Sequence, residues 1–178
     1  MNLGLLILRL VVGALFVGHG TQKLFGWFEG HGLAGTAGFF ESVGLRPGRR
    51  HAIAAGVAET TGGILLVLGL LTPVGAAALV AVMTAAILSV HGPNGLWSTN
   101  NGFEYNLALA AMAFALAGVG AGRWSLDHAL SLNLTGAGWA LGALALGVLG
   151  GLGAVISGRS YREPVRQPPR DPGAALPA

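Results

Sequence analysis

Long stretches without a charged side chain are the feature that most constrains how this chain can fold. Residues 60–103, 105–122 and 128–158 contain no Asp, Glu, Lys or Arg. Charged residues make up only 10% of the 178 residues and hydrophobic residues 53%, whereas soluble domains carry about 25% charged residues. Because so few charges cannot cover a water-soluble globule, the composition excludes a soluble enzyme, a disordered chain and a nucleic-acid-binding protein.

The apolar sequence divides into five candidate membrane spans. A helix needs about 20 mostly apolar residues to cross the hydrocarbon core of a bilayer. Pro73 separates the second span from the third, and the Gly- and Pro-containing turn at 92–95 ends the third. The predicted spans are residues 3–20, 52–71, 74–91, 104–121 and 136–156. The sequence therefore predicts an all-α integral membrane protein embedded in a lipid bilayer.

Lysine and arginine are concentrated in two segments, and their positions predict the orientation of the chain. The loop 21–51 holds four of these residues, and the segment after residue 156 holds another four. With five spans both segments lie on one side of the membrane, and basic residues favour the cytoplasmic side. We therefore expect a multi-pass protein of the cell inner (plasma) membrane, with its N-terminus outside and its C-terminus in the cytoplasm.

Two further segments differ in composition from the spans. In the loop 24–50, glycines surround an apolar stretch at 35–44, which predicts a short helix in the membrane interface. The segment 158–178 mixes proline with arginine and small residues, so we expect a disordered cytoplasmic tail. The chain has no cysteine, which excludes disulfides, thiol relays and iron–sulfur clusters, and no metal site is predicted.

Seven polar side chains fall at the predicted cytoplasmic end of the bundle. They are His19, Gln22, Lys23, Glu59, His91, Glu104 and Asn106. The ionisable members lie on helix faces rich in glycine and alanine, which allow helix backbones to approach closely in lipid. We therefore expect these side chains to point into the bundle.

Glu59 is the most informative of these residues, because it lies roughly 10 Å inside its predicted span. A charged side chain at such a position costs about 2.5–3.5 kcal/mol, so Glu59 needs a partner or a protonated state. A structural ion pair with Lys23 or Arg9 is one interpretation. A site that handles protons is the other.

The other polar residues also have simpler interpretations. Lys23 fits an interfacial lysine that extends its ammonium group to the headgroups. The two histidines of the set fit helix-end residues that bond to free carbonyl groups, and Glu104 fits an acid that complements a helix N-terminus. We interpret Asp127 and His128, in the opposite loop, as ordinary surface residues.

Several motifs in the first 130 residues are similar to those of one protein family. They are HGTQKLFGWF at 19–28, AGVAE at 55–59, GLLTP at 69–73, GFEYN at 102–106 and RWSLD at 123–127. Together they resemble the DoxX family of small membrane proteins over residues 4–130. The resemblance implies a four-helix membrane bundle in residues 1–130, with the interfacial loop 24–50. This chain adds a fifth transmembrane helix at 131–157 and the tail.

The resemblance also implies redox chemistry, because related proteins include small membrane subunits of thiosulfate–quinone oxidoreductases. We therefore expect a membrane redox component, a subunit of a quinone-linked oxidoreductase, with a polar pocket at the cytoplasmic end. The pocket is expected to bind a quinone or a similar small ligand. Glu59 and His91 are the expected catalytic residues, because they would handle protons. The expected ligand-binding residues are His19, Gln22, Lys23, Glu104 and Asn106.

Partners and alternative functions follow from the same residues. Nothing in the chain stores electrons, so the redox hypothesis requires a soluble or membrane redox protein as partner. The main alternative is a non-catalytic membrane anchor that recruits a soluble enzyme complex. A lesser alternative is a b-type haem protein with His19 and His91 as axial ligands. Glycines at four-residue steps between 138 and 151 predict a surface through which the fifth helix forms a homo-oligomer.

Overall fold

The computed structural model describes residues 2–162, and its regular structure is helical. The helices are α1 Asn2–Phe25, α2 Gly32–Ser42, α3 Gly48–Leu68, α4 Thr72–Ala86, α5 Glu104–Val119, α6 Leu126–Ala129 and α7 Ala137–Arg159. A π-helical turn, Ile87–His91, continues α4, and short 3-10 turns follow at Gly92–Asn94 and Ser98–Asn100. No strand occurs between residues 2 and 162, so the prediction of an all-α protein is confirmed. Most of the tail predicted at 158–178 lies outside the described residues.

Four of the helices are long and apolar enough to cross a membrane. They are α1, α3, α7 and the continuous helical segment Thr72–Asn94, which contains α4. α5 is also apolar but has 16 residues, which corresponds to a length of about 24 Å. The prediction of a multi-pass helical bundle with a further C-terminal helix is confirmed. The helix predicted at 104–121 is present as α5, which is shorter than the four helices that are long enough to cross a membrane.

α1 and α3 pack along each other through glycine residues. A Cβ atom on Gly63 would lie 2.6 Å from the carbonyl oxygen of Gly13, and one on Gly20 would lie 2.7 Å from that of Gly56. A larger residue at these positions would therefore push the two backbones apart. Close approach of this kind provides van der Waals contact in lipid, where no hydrophobic effect drives helices together. It also places the last turns of α1 beside the middle of α3.

α7 packs against α4 on the outside of the bundle formed by α1, α3, α4 and α5. Gly147 and Gly151 lie in this contact, because a Cβ atom on either would come within 2.6 Å of α4 atoms. Gly138 and Gly142 have no such neighbour within 4 Å. One glycine row of the fifth helix is therefore used inside the chain, and the other stays exposed. Of the glycines predicted to form a homo-oligomer surface, only Gly138 and Gly142 are therefore free of contacts within residues 2–162.

The helix termini define two ends of the bundle. α1, α4 and α7 end where α3 and α5 begin, and we call this end, which carries Lys23, His91 and Glu104, the polar end. The opposite end holds the turn between α3 and α4 and the loop 120–136. α2 packs against α3 and α1. The aromatic side chains of the loop before α2 are exposed, which is typical of side chains among lipid headgroups.

Candidate functional site

An ion pair between the partly exposed Lys23, 23% exposed, and the buried Glu59 joins α1 and α3 near the polar end. The ammonium nitrogen of Lys23 lies 2.6 Å from carboxylate oxygen Oε2 of Glu59. The Glu59 side chain is only 2% exposed. The glycine contacts between the two helices bring their backbones close enough for these side chains to meet. Of the two partners considered for Glu59, the structure therefore selects Lys23, while Arg9 lies near the other end of α1.

A hydrogen-bond chain fixes the ring of His19, one turn before Lys23. Nδ1 of His19 lies 3.1 Å from Oε1 of Gln22, and Nε2 of Gln22 donates to the carbonyl oxygen of Phe28 at 3.1 Å. Because the Phe28 carbonyl can only accept, the Gln22 amide must turn its oxygen toward His19. Nδ1 of His19 therefore carries the proton, and Nε2 is the accepting nitrogen of the neutral ring.

His91 is oriented in a similar way by the loop that follows it. Nδ1 of His91 lies 2.9 Å from the carbonyl oxygen of Asn101, and the same oxygen accepts a bond from the Asn94 side chain at 3.2 Å. A carbonyl cannot donate, so Nδ1 carries the proton and Nε2 is left as the accepting nitrogen. His91 ends the π-helical turn of α4. Such turns occur frequently at functional sites, because they redirect side chains relative to a regular helix.

These groups surround a cavity of about 660 Å³ at the polar end. Its walls come from α1, α3, α4, α5 and α7, and α2 contributes Phe39 and Phe40. Most of the lining is apolar and consists of alanines and an equal number of larger apolar side chains. The polar lining residues are His19, Lys23, His51, Glu59, Ser89, His91, Ser98, Asn101, Tyr105 and Asn106. An apolar cavity of this size with a few convergent polar groups is typical of small-molecule sites.

The structure brings together five of the seven residues expected at the site. His19, Lys23, Glu59, His91 and Asn106 line the cavity. The side-chain amide of Asn106 lies 3.5 Å from the sulfur of Met83.

The remaining two residues, Gln22 and Glu104, lie outside the cavity lining. Gln22 orients His19 instead. The carboxylate of Glu104 is exposed, and it accepts bonds from the backbone nitrogen and the hydroxyl of Ser98 at 3.0 and 2.7 Å. Glu104 therefore holds the 3-10 turn that closes one side of the cavity.

Five further polar residues of the lining were not among the expected site residues, namely His51, Ser89, Ser98, Asn101 and Tyr105. His51, near the start of α3, had no spacing signal, and its Nε2 lies 3.3 Å from the carbonyl oxygen of Arg46. Ser89 lies in the π-helical turn, and its buried hydroxyl oxygen has no hydrogen-bond partner within residues 2–162. A serine in an apolar helix ordinarily donates to the carbonyl group four residues earlier, so the sequence alone does not predict that this hydroxyl is unpaired among the described residues.

A second buried polar cluster lies at the opposite end of the bundle. The Arg9 side chain, 1% exposed, donates from Nη2 to the carbonyl oxygen of Trp124 at 2.5 Å. Asp127 is 6% exposed and accepts bonds from the nitrogens of Leu71 and Thr72 and from the Thr72 hydroxyl, at 2.7, 3.1 and 2.6 Å. The interpretation of Asp127 as a surface residue is therefore wrong, because its carboxylate caps the start of α4.

Metal binding is not suggested by the arrangement of side chains. Within residues 2–162, no three His, Cys, Asp or Glu side chains converge in a way that could hold a metal ion. The candidate site is a cavity with an ion pair and two oriented imidazoles in its wall.

Comparison with known proteins gives two matches. The DoxX family model matches residues 4–92, which cover α1 to the end of the π-helical turn. The uncharacterized membrane protein Rv3486 of Mycobacterium tuberculosis is 33% identical over 148 residues, which is 74% of this chain and 83% of the relative. No solved structure matches the chain.

Proposed function

This chain belongs to the DoxX family of membrane proteins, and we propose that its cavity binds a quinone or a small ligand of similar shape. In this proposal the protein is the membrane component of a redox system. A soluble or membrane redox protein that carries a flavin or a metal is its partner, because the chain has no cysteine and no other group that stores electrons.

The observation that carries the proposal is the distribution of polar groups around an apolar cavity. A quinone head group is a flat apolar ring with carbonyl oxygens at its edge, so it requires apolar walls and a few hydrogen-bond donors. Alanines and larger apolar side chains supply the walls, and Lys23 and Asn106 are among the lining residues that can donate N–H bonds. Glu59 neutralises the Lys23 charge at 2.6 Å, which makes an ammonium group tolerable in this apolar surrounding.

Reduction of a quinone to a quinol consumes two electrons and two protons. The partner protein supplies the electrons, and the two protons come from water and pass to the quinone through side chains of the cavity, each of which takes up a proton before it donates one. His91 suits this role, because an imidazole exchanges protons near neutral pH and its Nδ1 bond to Asn101 fixes the ring. Glu59 is the second proton-handling group, and Lys23 keeps it in place.

The polar end faces the cytoplasm of the inner (plasma) membrane in this proposal. Six basic residues lie at or beyond the helix termini of this end, namely Lys23, Arg46, Arg49, Arg50, Arg159 and Arg162. Arg123 is the basic residue of the loops at the opposite end within residues 2–162. The positive-inside rule then places the N-terminus outside and the C-terminus inside.

Substitution of Glu59 tests the proposed binding site. We expect Glu59→Gln to raise the dissociation constant of a chainless benzoquinone by about tenfold. Without the carboxylate, the charge of Lys23 is no longer neutralised, so the apolar cavity no longer holds the ammonium group as a donor for the quinone. The matched control is Glu29→Gln, which removes the same charge from an exposed loop residue outside the cavity. The constants are measured by equilibrium dialysis of the purified protein in detergent.

A second variant keeps this test decisive if Glu59→Gln fails to fold. His91→Asn retains a donor for the Asn101 carbonyl but removes Nε2 from the cavity, so we expect folded protein with weakened binding. The proposal is refuted if the wild-type protein does not bind the quinone, or if both cavity variants bind it as tightly as Glu29→Gln does. Absence of binding combined with capture of a soluble redox enzyme would instead favour the membrane-anchor function.

A further inference from the structure

The cavity also reaches the side of the bundle that faces the membrane. α3 and α7 both pack against α4, but they make few contacts with each other. Near the polar end, the nitrogen of Arg46, in the loop before α3, donates to the carbonyl oxygen of Gly158 at 3.3 Å. There a Cβ atom on Gly158 would also lie 3.1 Å from Nε2 of His51 in α3. Deeper in the bundle, Ala54 of α3 and Gly150 of α7 line the cavity and are exposed. The cavity is therefore open between these two helices.

This lateral part of the cavity is lined by small apolar residues. We call it the α3–α7 slot, and its lining residues are Ala54, Ala58, Ala81, Ala85, Gly150 and Ala154. Not one of them has a side chain longer than a methyl group. A Cβ atom on Gly150 would lie 3.4 Å from the Cβ atom of Ala81, so the floor of the slot is already at contact distance there. A lining of methyl groups and glycine suits a hydrocarbon chain, because it offers no hydrogen-bond partner to a polar group.

The depth of the slot places its mouth among the apolar helices. Gly150 lies nine residues before the end of α7 at Arg159, which corresponds to about 13 Å along the helix. The exposed surface beside it consists of Leu146, Leu149 and Ile53. An aqueous ligand would not reach an opening with these neighbours, whereas a ligand dissolved in the bilayer would meet it directly.

From this geometry we infer that the α3–α7 slot is the opening through which the ligand arrives from the bilayer, and that it holds the ligand's apolar chain. The inference rests on the proposed function and makes it more specific, because it identifies the ligand as a lipid-soluble quinone with a hydrocarbon tail. The head group lies beside Lys23 and Asn106, and the tail leaves between α3 and α7. Continuity of the slot with the polar part of the cavity supports this arrangement.

The test compares two probes that share one head group. The first is a chainless benzoquinone, and the second is the same quinone with a ten-carbon alkyl chain. Gly150→Leu fills the slot, and Gly153→Leu is the matched control on the same helix, since no atom lies within 4 Å of a Cβ at Gly153. We expect Gly150→Leu to weaken binding of the alkyl quinone by about tenfold, because the leucine side chain occupies the space that the alkyl chain would fill. Binding of the chainless quinone should change by less than about twofold.

The outcomes separate the slot from the proposed function. Failure of wild-type protein to bind the chainless quinone contradicts the proposed head-group site. If both quinones bind to the wild-type protein, three results would show that the slot does not hold the tail. Gly150→Leu could weaken the binding of neither quinone, weaken the binding of both equally, or have the same dissociation constants as Gly153→Leu. If Gly150→Leu does not fold, Ala54→Leu fills the slot from the α3 side and is judged by the same criteria.

Discussion

Replacement of Lys23 by Met will lower the free energy of unfolding by about 3 kcal/mol, because it leaves the buried Glu59 without its counter-charge. The ammonium and carboxylate groups are 2.6 Å apart and the Glu59 side chain is 2% exposed. Methionine keeps most of the length of the lysine side chain, so the loss reports the charge rather than a cavity. Unfolding by SDS in mixed micelles, followed by circular dichroism, measures the change.

A double variant distinguishes an ion pair from simple loss of packing. Lys23→Met combined with Glu59→Leu removes both charges, and we expect it to recover to within about 1 kcal/mol of the wild-type protein. Arg49→Met is the matched control, since Arg49 is an exposed cation on the first turn of α3. A single variant as stable as the control, or a double variant no more stable than the single one, would show that the pair does not stabilise the fold.

Replacement of Asp127 by Ala will have a similar effect at the other end of the bundle. The substitution removes three hydrogen bonds to the start of α4 and the nearby negative charge that attracts the buried Arg9. Hydrogen bonds to a charged group contribute about 1.5–3 kcal/mol each, and the two Thr72 donors left behind are buried. We expect the free energy of unfolding to fall by about 3 kcal/mol in the same SDS assay.

Two comparison variants define what this result means. Asp127→Asn keeps one accepting oxygen, so it should be less destabilising than Asp127→Ala. His128→Ala alters the exposed neighbouring residue, whose bond to the Ser125 hydroxyl uses the backbone nitrogen, and should leave stability unchanged. Equal stability of Asp127→Ala and His128→Ala would mean that the cap of α4 contributes nothing measurable.

Features that depend on local sequence could be predicted well. The charge-free stretches marked the helices, and Pro73 marked the start of α4, which begins at Thr72. Glu59 was recognisable because a carboxylate inside an apolar span must have a partner. Lys23 was one of two partners that the sequence offered, and only the packing of α1 on α3 distinguishes it from Arg9.

Features that depend on distant contacts could not be predicted in the same way. Asp127 bonds to residues 55 and 56 positions earlier in the chain, and its loop resembles a solvated turn when viewed alone. The role of Glu104 was missed although its contact is local. Glu104 accepts a hydrogen bond from Ser98, six residues earlier, so a turn uses the carboxylate that the sequence assigned to the site. The alanines of the cavity wall carry no periodic signal that separates them from core alanines, and the redirection of α4 at Ile87–His91 has no proline to mark it.

The proposed function requires the cavity at the polar end to bind the head group of a quinone. A crystal structure of the purified protein, grown with saturating chainless benzoquinone, shows whether the ring is bound there. We expect density for the ring between Lys23, His91 and Asn106, with a carbonyl oxygen within hydrogen-bond distance of the Lys23 ammonium group. An empty cavity, or quinone density only at other positions on the protein, would overturn the proposal.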